Sequence, residues 1–244
     1  MERIYLAQAQ AGATVPLDAE TAHYLTRVLR VPSGSEVLAF DGEGREFIGI
    51  LEDWSGRKAG WRAVNMVREE PEPSCRIVLA QGLGKQDKMA LVIQKATELG
   101  VWRIRPFSCR RAVVKLDRKS EETKTERWRK IAEEACRQSR RCRLPVIDEP
   151  CSLEELLETA TGSVLLAYEG EGTVSLASVF HDTFQDLTLI VGPEGGFEPS
   201  EVDGARRRGA RLVSLGPRIL RTETAGPAFL AIAQYAAGDM KGNP

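Results

Sequence analysis

Two short segments of this 244-residue chain combine glycines with charged side chains in a pattern suited to holding a nucleotide-like ligand. Residues 192–197 read Gly-Pro-Glu-Gly-Gly-Phe, and residues 215–225 read Leu-Gly-Pro-Arg-Ile-Leu-Arg-Thr-Glu-Thr-Ala. Adjacent glycines let a backbone approach a ligand closely or adopt a positive φ. Glu194, Arg221 and Glu223 are the candidates for reactive side chains within these two loops.

Each glycine loop directly follows a short apolar run that predicts a β-strand. Residues 187–191 precede the first loop, and residues 212–215 lead into the second. Ligands of open parallel α/β sheets bind outside the carboxyl ends of the strands. The two loops therefore predict one ligand site, and the alternative is a pair of ordinary turns without function.

The carboxyl-terminal two thirds of the chain alternates between strand and helix patterns. The other strands are predicted over residues 76–80, 104–107 and 164–168, and the helices over residues 89–99, 127–143, 153–160 and 222–237. Such alternation is typical of a parallel sheet with helices on both faces. We expect Thr222 or Thr224 to cap the last helix, with Pro227 in or near its first turn.

The first seventy-odd residues predict β structure instead. Apolar runs at 36–40 and 46–51 flank Asp-Gly-Glu-Gly, which is a hairpin signal, and residues 61–67 form a further strand candidate. One short helix is predicted over residues 19–29. Two prolines among acidic residues at 69–73 cannot continue a strand interior, so we place a domain boundary there.

Positive charge is concentrated in one part of a nearly neutral chain. Residues 103–143 carry 15 Lys/Arg and 6 Asp/Glu, a net charge of +9, whereas the whole chain carries −1. Such a block is typical of a polyanion-binding surface, and the alternative is a solvated helix face. The candidate RNA-binding residues in this block are Arg103, Arg110, Arg111, Lys115, Arg137, Arg140, Arg141 and Arg143.

The composition argues against several other classes of protein. The five cysteines form no Cys-x-x-Cys pair and there are only two histidines, so we expect reduced thiols in a cytoplasmic protein and no metal site. No apolar stretch is long enough for a membrane span, and the first residues do not read as a secretory signal. Residues 82–85 lack the full phosphate-binding P-loop pattern, and residues 170–175 lack the third glycine of the dinucleotide fingerprint.

Taken together, the two glycine loops resemble the paired signature of the ribosomal RNA small subunit methyltransferase E family, which belongs to the SPOUT superfamily. Residues 23–30, 40–44, 94–101 and 127–139 are similar to the other sequence blocks of that family, in the same order. The resemblance covers essentially the whole chain. Two positions depart from it: Arg140 stands where the family usually has a small residue, and Cys109 where it often has an acid.

This resemblance implies an α/β fold class, with a SPOUT-type parallel sheet that ends in a carboxyl-terminal trefoil knot. A small PUA-like β-barrel that binds RNA is implied for residues 1–73, and the methyltransferase domain with its knotted cofactor site for residues 74–244. The family is usually homodimeric. The implied cofactor is S-adenosyl-L-methionine, with S-adenosyl-L-homocysteine as the product.

The implied reaction is methylation of N3 of a specific uridine in 16S ribosomal RNA of the small subunit. By position, the implied cofactor-binding residues are Leu166, Ala167, Tyr168, Glu169, Gly192, Pro193, Glu194, Gly195, Leu215, Gly216, Ile219, Leu220 and Arg221. Uridine N3 carries a proton at neutral pH, so a base must remove it or a cation must stabilise the anion. We expect Arg221 to stabilise that charge, with Glu194 or Glu223 as proton acceptor.

Three alternatives remain open from the sequence. Glu223 can instead be a first-turn acid that interacts with the helix dipole. The protein can be a non-catalytic RNA-binding or ribosome-assembly protein of the same fold, but the intact cofactor loops argue against this reading. It can also be a transfer RNA methyltransferase of the same superfamily, although the match of the amino-terminal blocks argues against that.

Overall fold

A computed structural model describes residues 1–55, 58–71, 73–84, 88–111, 118–180 and 183–240 of the chain. The chain forms two compact units. The first comprises Met1–Glu72 and Cys136–Leu144, and the second comprises Pro73–Ala135 and Pro145–Pro244. The sequence predicted one boundary, at residues 73/74. It did not predict that Cys136–Leu144 belongs to the amino-terminal unit.

The amino-terminal unit is built on a five-stranded sheet. Its strands are β1 (Glu2–Tyr5), β2 (Thr14–Pro16), β3 (Glu36–Phe40), β4 (Arg45–Ser55) and β5 (Lys58–Glu69). They lie in the order β1-β3-β4-β5-β2, and β3 and β4 form the predicted hairpin. Only the β1–β3 pair is parallel. Helix α1 (Ala19–His23) continues as a π-helical turn at Tyr24–Val28, so the helix predicted over residues 19–29 is present with a wider last turn.

The second unit is built on an eight-stranded sheet in which every strand pair is parallel. Its strands are β6 (Arg76–Gly82), β7 (Arg103–Ser108), β8 (Val146–Ile147), β9 (Cys151–Ser152), β10 (Ser163–Ala167), β11 (Val174–Ser175), β12 (Asp186–Val191) and β13 (Arg211–Ser214). The sheet order is β11-β13-β10-β12-β6-β7-β8, and β9 also pairs with β7. The remaining helices are α2 (Lys88–Glu98), α3 (Arg118–Ser139), α4 (Leu153–Thr159), α5 (Leu176–Val179), α6 (Pro199–Arg207) and α7 (Thr222–Ala237).

Successive residues of the central strands contribute to two different hydrophobic cores. On β6, Leu79 belongs to a core that includes residues of α2 and α7, whereas Ala80 belongs to a core that includes residues of α4 and α6. On β12, Leu189 and Ile190 divide in the same way. Since neighbouring strand residues point to opposite faces, the sheet is covered on both faces, as the strand and helix alternation predicted.

The long helix α3 ends at Ser139, four residues earlier than the sequence pattern predicted. Arg140 follows in the left-handed region, with φ 61°, and the backbone N–H of Arg141 donates to the carbonyl of Cys136 over 3.1 Å. This is the geometry in which a helix usually ends on glycine. Glycine adopts this conformation without the steric cost that the side chain of Arg140 brings.

A buried arginine joins β1 to this helix end within the amino-terminal unit. Arg3 is 8% exposed, forms an ion pair with Glu46 and packs over the Phe40 ring at 4.1 Å. Its guanidinium donates to the carbonyl of Cys136 at 2.7 Å and to that of Arg141 at 3.0 Å. The Cys136 carbonyl belongs to the last turn of α3, where carbonyls lack the regular helical donors, and the Arg141 carbonyl follows two residues after the helix end. The Arg3 side chain therefore donates hydrogen bonds to carbonyls at the end of the helix and also neutralises the buried carboxylate of Glu46.

The cysteines carry no covalent links. All five are free thiols. Burial raises the pKa of Cys136 to about 12, so this thiol remains protonated and unreactive at neutral pH. In the part of the chain that the structure describes, every helix is too short or too polar to cross a bilayer.

Replacing Arg3 by methionine should strongly destabilise the amino-terminal unit. The change leaves the Glu46 carboxylate buried without its cation, which typically costs about 3–5 kcal/mol. Urea unfolding followed by circular dichroism measures the loss. The double variant R3M/E46L should recover part of the stability, and equal stability of R3M and the unaltered chain would contradict the role assigned to this pair.

Candidate active site

Both glycine loops lie on the wall of one cavity in the second unit. The cavity has a volume of about 1000 Å³ and opens at the carboxyl ends of β10, β12 and β13. Of the residues expected at a cofactor, those on its wall are Ala167, Tyr168, Glu169, Gly192, Pro193, Glu194, Gly195, Leu215, Gly216, Ile219, Leu220 and Arg221. Leu166 is the exception: it is fully buried in the core beneath the cavity.

A buried threonine joins the two loops. The Thr222 hydroxyl donates to the Gly192 carbonyl over 2.7 Å and accepts from Gln81 Nε2 over 2.8 Å. Thr222 is 7% exposed and Gln81 is 1% exposed. The three residues come from the start of α7, the loop after β12 and strand β6, so these two hydrogen bonds fix three segments around one hydroxyl group.

The end of β6 passes unusually close to the first glycine loop. A Cβ atom on Gly82 would lie 2.4 Å from the Pro193 backbone nitrogen, and the remaining contacts of that Cβ are also with residues 192 and 193. No side chain fits at that distance, so glycine is required for this approach. The loop itself turns tightly, since the Gly196 N–H donates to the Pro193 carbonyl over 2.9 Å and Gly196 has φ 65°.

The start of α7 differs from the prediction in two respects. Arg221 is the N-cap residue and its side chain makes no capping bond, whereas Thr222, an expected cap, is the first helical residue and bonds Gly192 instead. Pro227 lies in the helix beyond the first turn. Because proline has no N–H, the Glu223 carbonyl four residues earlier loses its helical donor.

A lysine that sequence reasoning missed links the two candidate glutamates. Lys88 Nζ lies 3.0 Å from Glu194 Oε1 and 3.2 Å from Glu223 Oε2. The two neighbouring carboxylates raise the pKa of Lys88, with Glu194 contributing most. A hydrogen bond from its own backbone N–H lowers the pKa of Glu223, and the charges of Lys88 and Arg221 act in the same direction while desolvation opposes them. Glu223 is therefore ionised at neutral pH and is a weak proton acceptor.

The arginines expected to bind RNA in the second unit are already engaged by acidic or polar groups. Arg103 lies 3.8 Å from Asp148, and Arg111 lies 2.8 Å from Glu198. Arg110 donates through its backbone to Glu201 and through its side chain to Ser200. Lys115 lies outside the described residues.

The other four expected RNA-binding arginines belong to the amino-terminal unit. Arg137 and Arg140 line a cavity of about 600 Å³ in this unit, together with Arg68. The Arg137 guanidinium lies 4.6 Å from the centre of the Tyr24 ring, and Arg68 donates to the Arg140 carbonyl over 2.8 Å. Arg141 and Arg143 are half-buried and do not line this cavity.

Within the described residues, no cluster of three or more His, Cys, Asp or Glu side chains is arranged to hold a metal ion. The cavity is instead surrounded by glycine-rich backbone, one ammonium group, guanidinium groups and carboxylates. Backbone polar groups at a strand end and a helix start are suited to hydrogen-bonding a small polar organic ligand.

Comparison with known families defines the class of protein. Residues 70–234 match the model of an RNA methyltransferase domain, and residues 17–59 match that of an RNA methyltransferase PUA domain. The parallel α/β unit corresponds to the RNA methyltransferase domain. The amino-terminal unit corresponds to the PUA domain.

Individual relatives narrow the assignment. The ribosomal RNA small subunit methyltransferase E of Bacillus subtilis is 33% identical to this chain, covering 97% of the chain and 95% of that protein. The protein of the same name from Mycobacterium tuberculosis is 32% identical over 93% of this chain and 87% of its own length. The crystal structure of the Neisseria gonorrhoeae protein bound to S-adenosyl methionine matches with a TM-score of 0.88 at 30% identity, covering 98% of this chain and 99% of that one. The chain belongs to the ribosomal RNA small subunit methyltransferase E family.

Family membership confirms the resemblance seen in the sequence and, with the fold, a PUA-like domain followed by a parallel α/β methyltransferase domain. The trefoil knot itself stays a prediction, because strand pairing alone does not establish how the carboxyl-terminal segment is threaded.

Replacing Thr222 by valine should destabilise the second unit. Valine keeps the shape but leaves the Gly192 carbonyl without its donor and Gln81 Nε2 without its acceptor, and buried polar groups left unpaired cost about 1–3 kcal/mol each. The midpoint of thermal unfolding measures the change. Thr222→Ser keeps the hydroxyl and is the matched control. A valine variant as stable as the serine variant would show that these hydrogen bonds do not stabilise the second unit.

Proposed function

We propose that the protein transfers a methyl group from S-adenosyl-L-methionine to N3 of a specific uridine in the 16S ribosomal RNA of the small subunit. Family membership supports an RNA methyltransferase. The observation that carries the proposal is the joining of both glycine loops around one cavity through Thr222. N3 as the methylated atom, uridine as the nucleoside and 16S RNA as the substrate follow from the family resemblance.

The cavity suits the proposed cofactor. Its volume of about 1000 Å³ lies at the upper end of the range usual for small-molecule and cofactor sites. Gly216 has φ 108°, and a Cβ there would meet no atom within 4 Å, so this backbone faces open space on the cavity wall. The residues proposed to hold the cofactor are those of the wall at 167–169, 192–195, 215–216 and 219–221. When bound, the cofactor supplies a methyl group activated on a positively charged sulfur.

The chain must remove or neutralise the N3 proton of uracil. Arg221 is exposed and lines the cavity, so its guanidinium can reach a base at the mouth and stabilise negative charge that develops there. Glu194 is the better placed of the two proton acceptors, because its side chain is 33% exposed and that of Glu223 is 15% exposed. Glu223, with its lowered pKa at the helix start, suits the electrostatic role of a first-turn acid.

N3 lies on the Watson–Crick edge of uracil, so the target must be unpaired or flipped out of its stack. Holding such a nucleotide requires contacts to the RNA backbone. We propose that the arginines of the basic block provide them, and that the amino-terminal unit contributes through Arg68, Arg137 and Arg140 around its own cavity. Guanidinium groups suit this role because they bind phosphate through paired donors.

We also propose a cytoplasmic homodimer. Leu91 on α2, and Ile232 and Tyr235 on α7, are 44%, 41% and 61% exposed on two helices that contact each other, so these side chains are available to a second copy of the chain. Sedimentation equilibrium tests this state, and a monomer at all concentrations would contradict it.

The decisive experiment uses small ribosomal subunits from a strain that lacks the enzyme. The purified protein is incubated with these subunits and radiolabelled S-adenosyl-L-methionine, the RNA is digested, and the labelled nucleoside is identified. Label in 3-methyluridine is expected. Cofactor binding without label in small subunits would favour a non-catalytic assembly protein, and label in transfer RNA would favour the other methyltransferase reading.

Replacing Arg221 by alanine should reduce turnover by about 100-fold or more while cofactor binding changes little, because a preorganised charge at the reacting group is lost. Turnover is followed with the small-subunit assay and binding by calorimetry. Arg207→Ala removes the same charge from α6, outside the cavity wall, and should leave both values unchanged. Retained turnover in R221A would remove this residue from the mechanism.

Replacing Arg140 by alanine should weaken binding of RNA of any sequence and reduce its salt dependence by about one counterion, as expected for a phosphate contact. Filter binding to a 16S fragment across a range of salt concentrations measures this slope. Arg62→Ala is the matched control, since Arg62 is an exposed arginine of the same unit, pairs with Glu52 and lies outside the cavity lining. Equal slopes for the two variants would contradict the contact.

A further inference from the structure

We propose that Lys88 is a positioning residue of the methyl-transfer site: from the cavity wall it holds the carboxylates of Glu194, also on the wall, and of Glu223, behind it, together as one charge cluster. No sequence pattern pointed to Lys88, and it belongs to neither glycine loop. The proposal deepens the proposed function, on which its catalytic consequence rests. Its structural part is independent of any substrate.

The cluster joins three separate segments. Lys88 is the first residue of α2, Glu194 lies in the loop after β12, and Glu223 lies in the first turn of α7. One ammonium group lies 3.0 Å from an oxygen of Glu194 and 3.2 Å from an oxygen of Glu223. A lysine carries three donors on a flexible stem, so it can serve two carboxylates at once.

The backbone at Gly84 lies beside the carboxylate of Glu194, where a side chain would press on it. A Cβ on Gly84 would lie 3.0 Å from each of the two Glu194 carboxylate oxygens. The absence of a side chain at Gly84 therefore leaves room for the carboxylate in its position beside the ammonium group of Lys88. Moving either neighbour would move Glu194 relative to the rest of the cavity.

The charge balance of the cluster depends on the lysine. Two carboxylates that share a site repel each other, and an opposite charge within about 4–6 Å favours their ionised forms. Among the described residues, the charged groups on the cavity wall besides Lys88 and Glu194 are Arg111, Glu169, Arg218 and Arg221. The charge of Arg221 contributes to the lowered pKa of Glu223, and Arg111 pairs with Glu198 at 2.8 Å. Lys88 contacts both carboxylates, so its removal takes away a cation that Glu194 and Glu223 share.

The expected consequence is a change in pH dependence. Lys88 favours the ionised carboxylates, so its removal raises their pKa values. A reaction step that needs an ionised carboxylate fails as the pH falls through that pKa. In Lys88→Met the acidic limb of the pH–rate profile should therefore move upward by about 1 pH unit. At pH 8 kcat should fall about tenfold because the carboxylates are misplaced, whereas the cofactor Kd should change less.

The test begins with carbon-13 NMR titration of the glutamate carboxyl groups in the full chain, with Glu194→Gln and Glu223→Gln assigning the two signals. Lys88→Met should shift both titrations upward, and Lys88→Arg should restore them. Lys95→Met is the matched control, because Lys95 is an exposed lysine of the same helix that pairs with Glu98. Gly84→Ala is a second variant, which displaces Glu194 with Lys88 intact and should lower kcat in the same direction.

The outcomes separate the two proposals. Identical titration of Glu194 and Glu223 in Lys88→Met and in the unaltered chain overturns the charge cluster, whatever the activity. A shifted titration in a protein that methylates no small-subunit RNA leaves the cluster standing while the proposed function fails. A shifted titration with an unchanged pH–rate profile and unchanged kcat overturns the positioning role in catalysis.

Discussion

The hydroxyl group of Thr222 is the point on which the site depends. It accepts from Gln81 and donates to the Gly192 carbonyl, so that strand β6, the loop after β12 and the start of α7 meet at one buried atom. Each of these segments is irregular or ends at the cavity. Backbone N–H and C=O groups there cannot pair with one another as they do inside a sheet or helix. The hydroxyl replaces the regular hydrogen bonding that is lost there.

Much of the second unit was predictable because its strands are short, apolar and regularly alternated with helices. The glycine loops were correctly placed after their strands, since both strand and loop are local features of the chain. The parts that could not be predicted are those set by distant residues. Threonine is a residue type that often caps helices, yet Thr222 is the first helical residue and its hydroxyl donates to the Gly192 carbonyl of another segment. Lys88 was missed for the same reason, since its two partners lie more than a hundred residues away along the chain.

Charge in sequence proved a poor guide to charge in space. The basic block of residues 103–143 looked continuous, yet it is divided between the two units. In the second unit Arg110 and Arg111 contact Glu201 and Glu198, which lie far outside the block in the sequence. In the amino-terminal unit Arg68, from outside the block, joins Arg137 and Arg140 around one cavity. A charge count over a window cannot see this pairing, because partners are selected by the fold.

The left-handed conformation of Arg140 lowers the stability of the folded chain, and the proposed phosphate contact would offset this cost by higher affinity for RNA. An ordinary side chain in this conformation costs roughly 1–2 kcal/mol, a cost that glycine would avoid. The chain nevertheless keeps a guanidinium group there, at the rim of a basic cavity. Proteins commonly retain such locally unfavourable residues where activity requires them. Selection for thermal stability alone would therefore favour glycine at this position, whereas selection for affinity toward a polyanion would favour arginine.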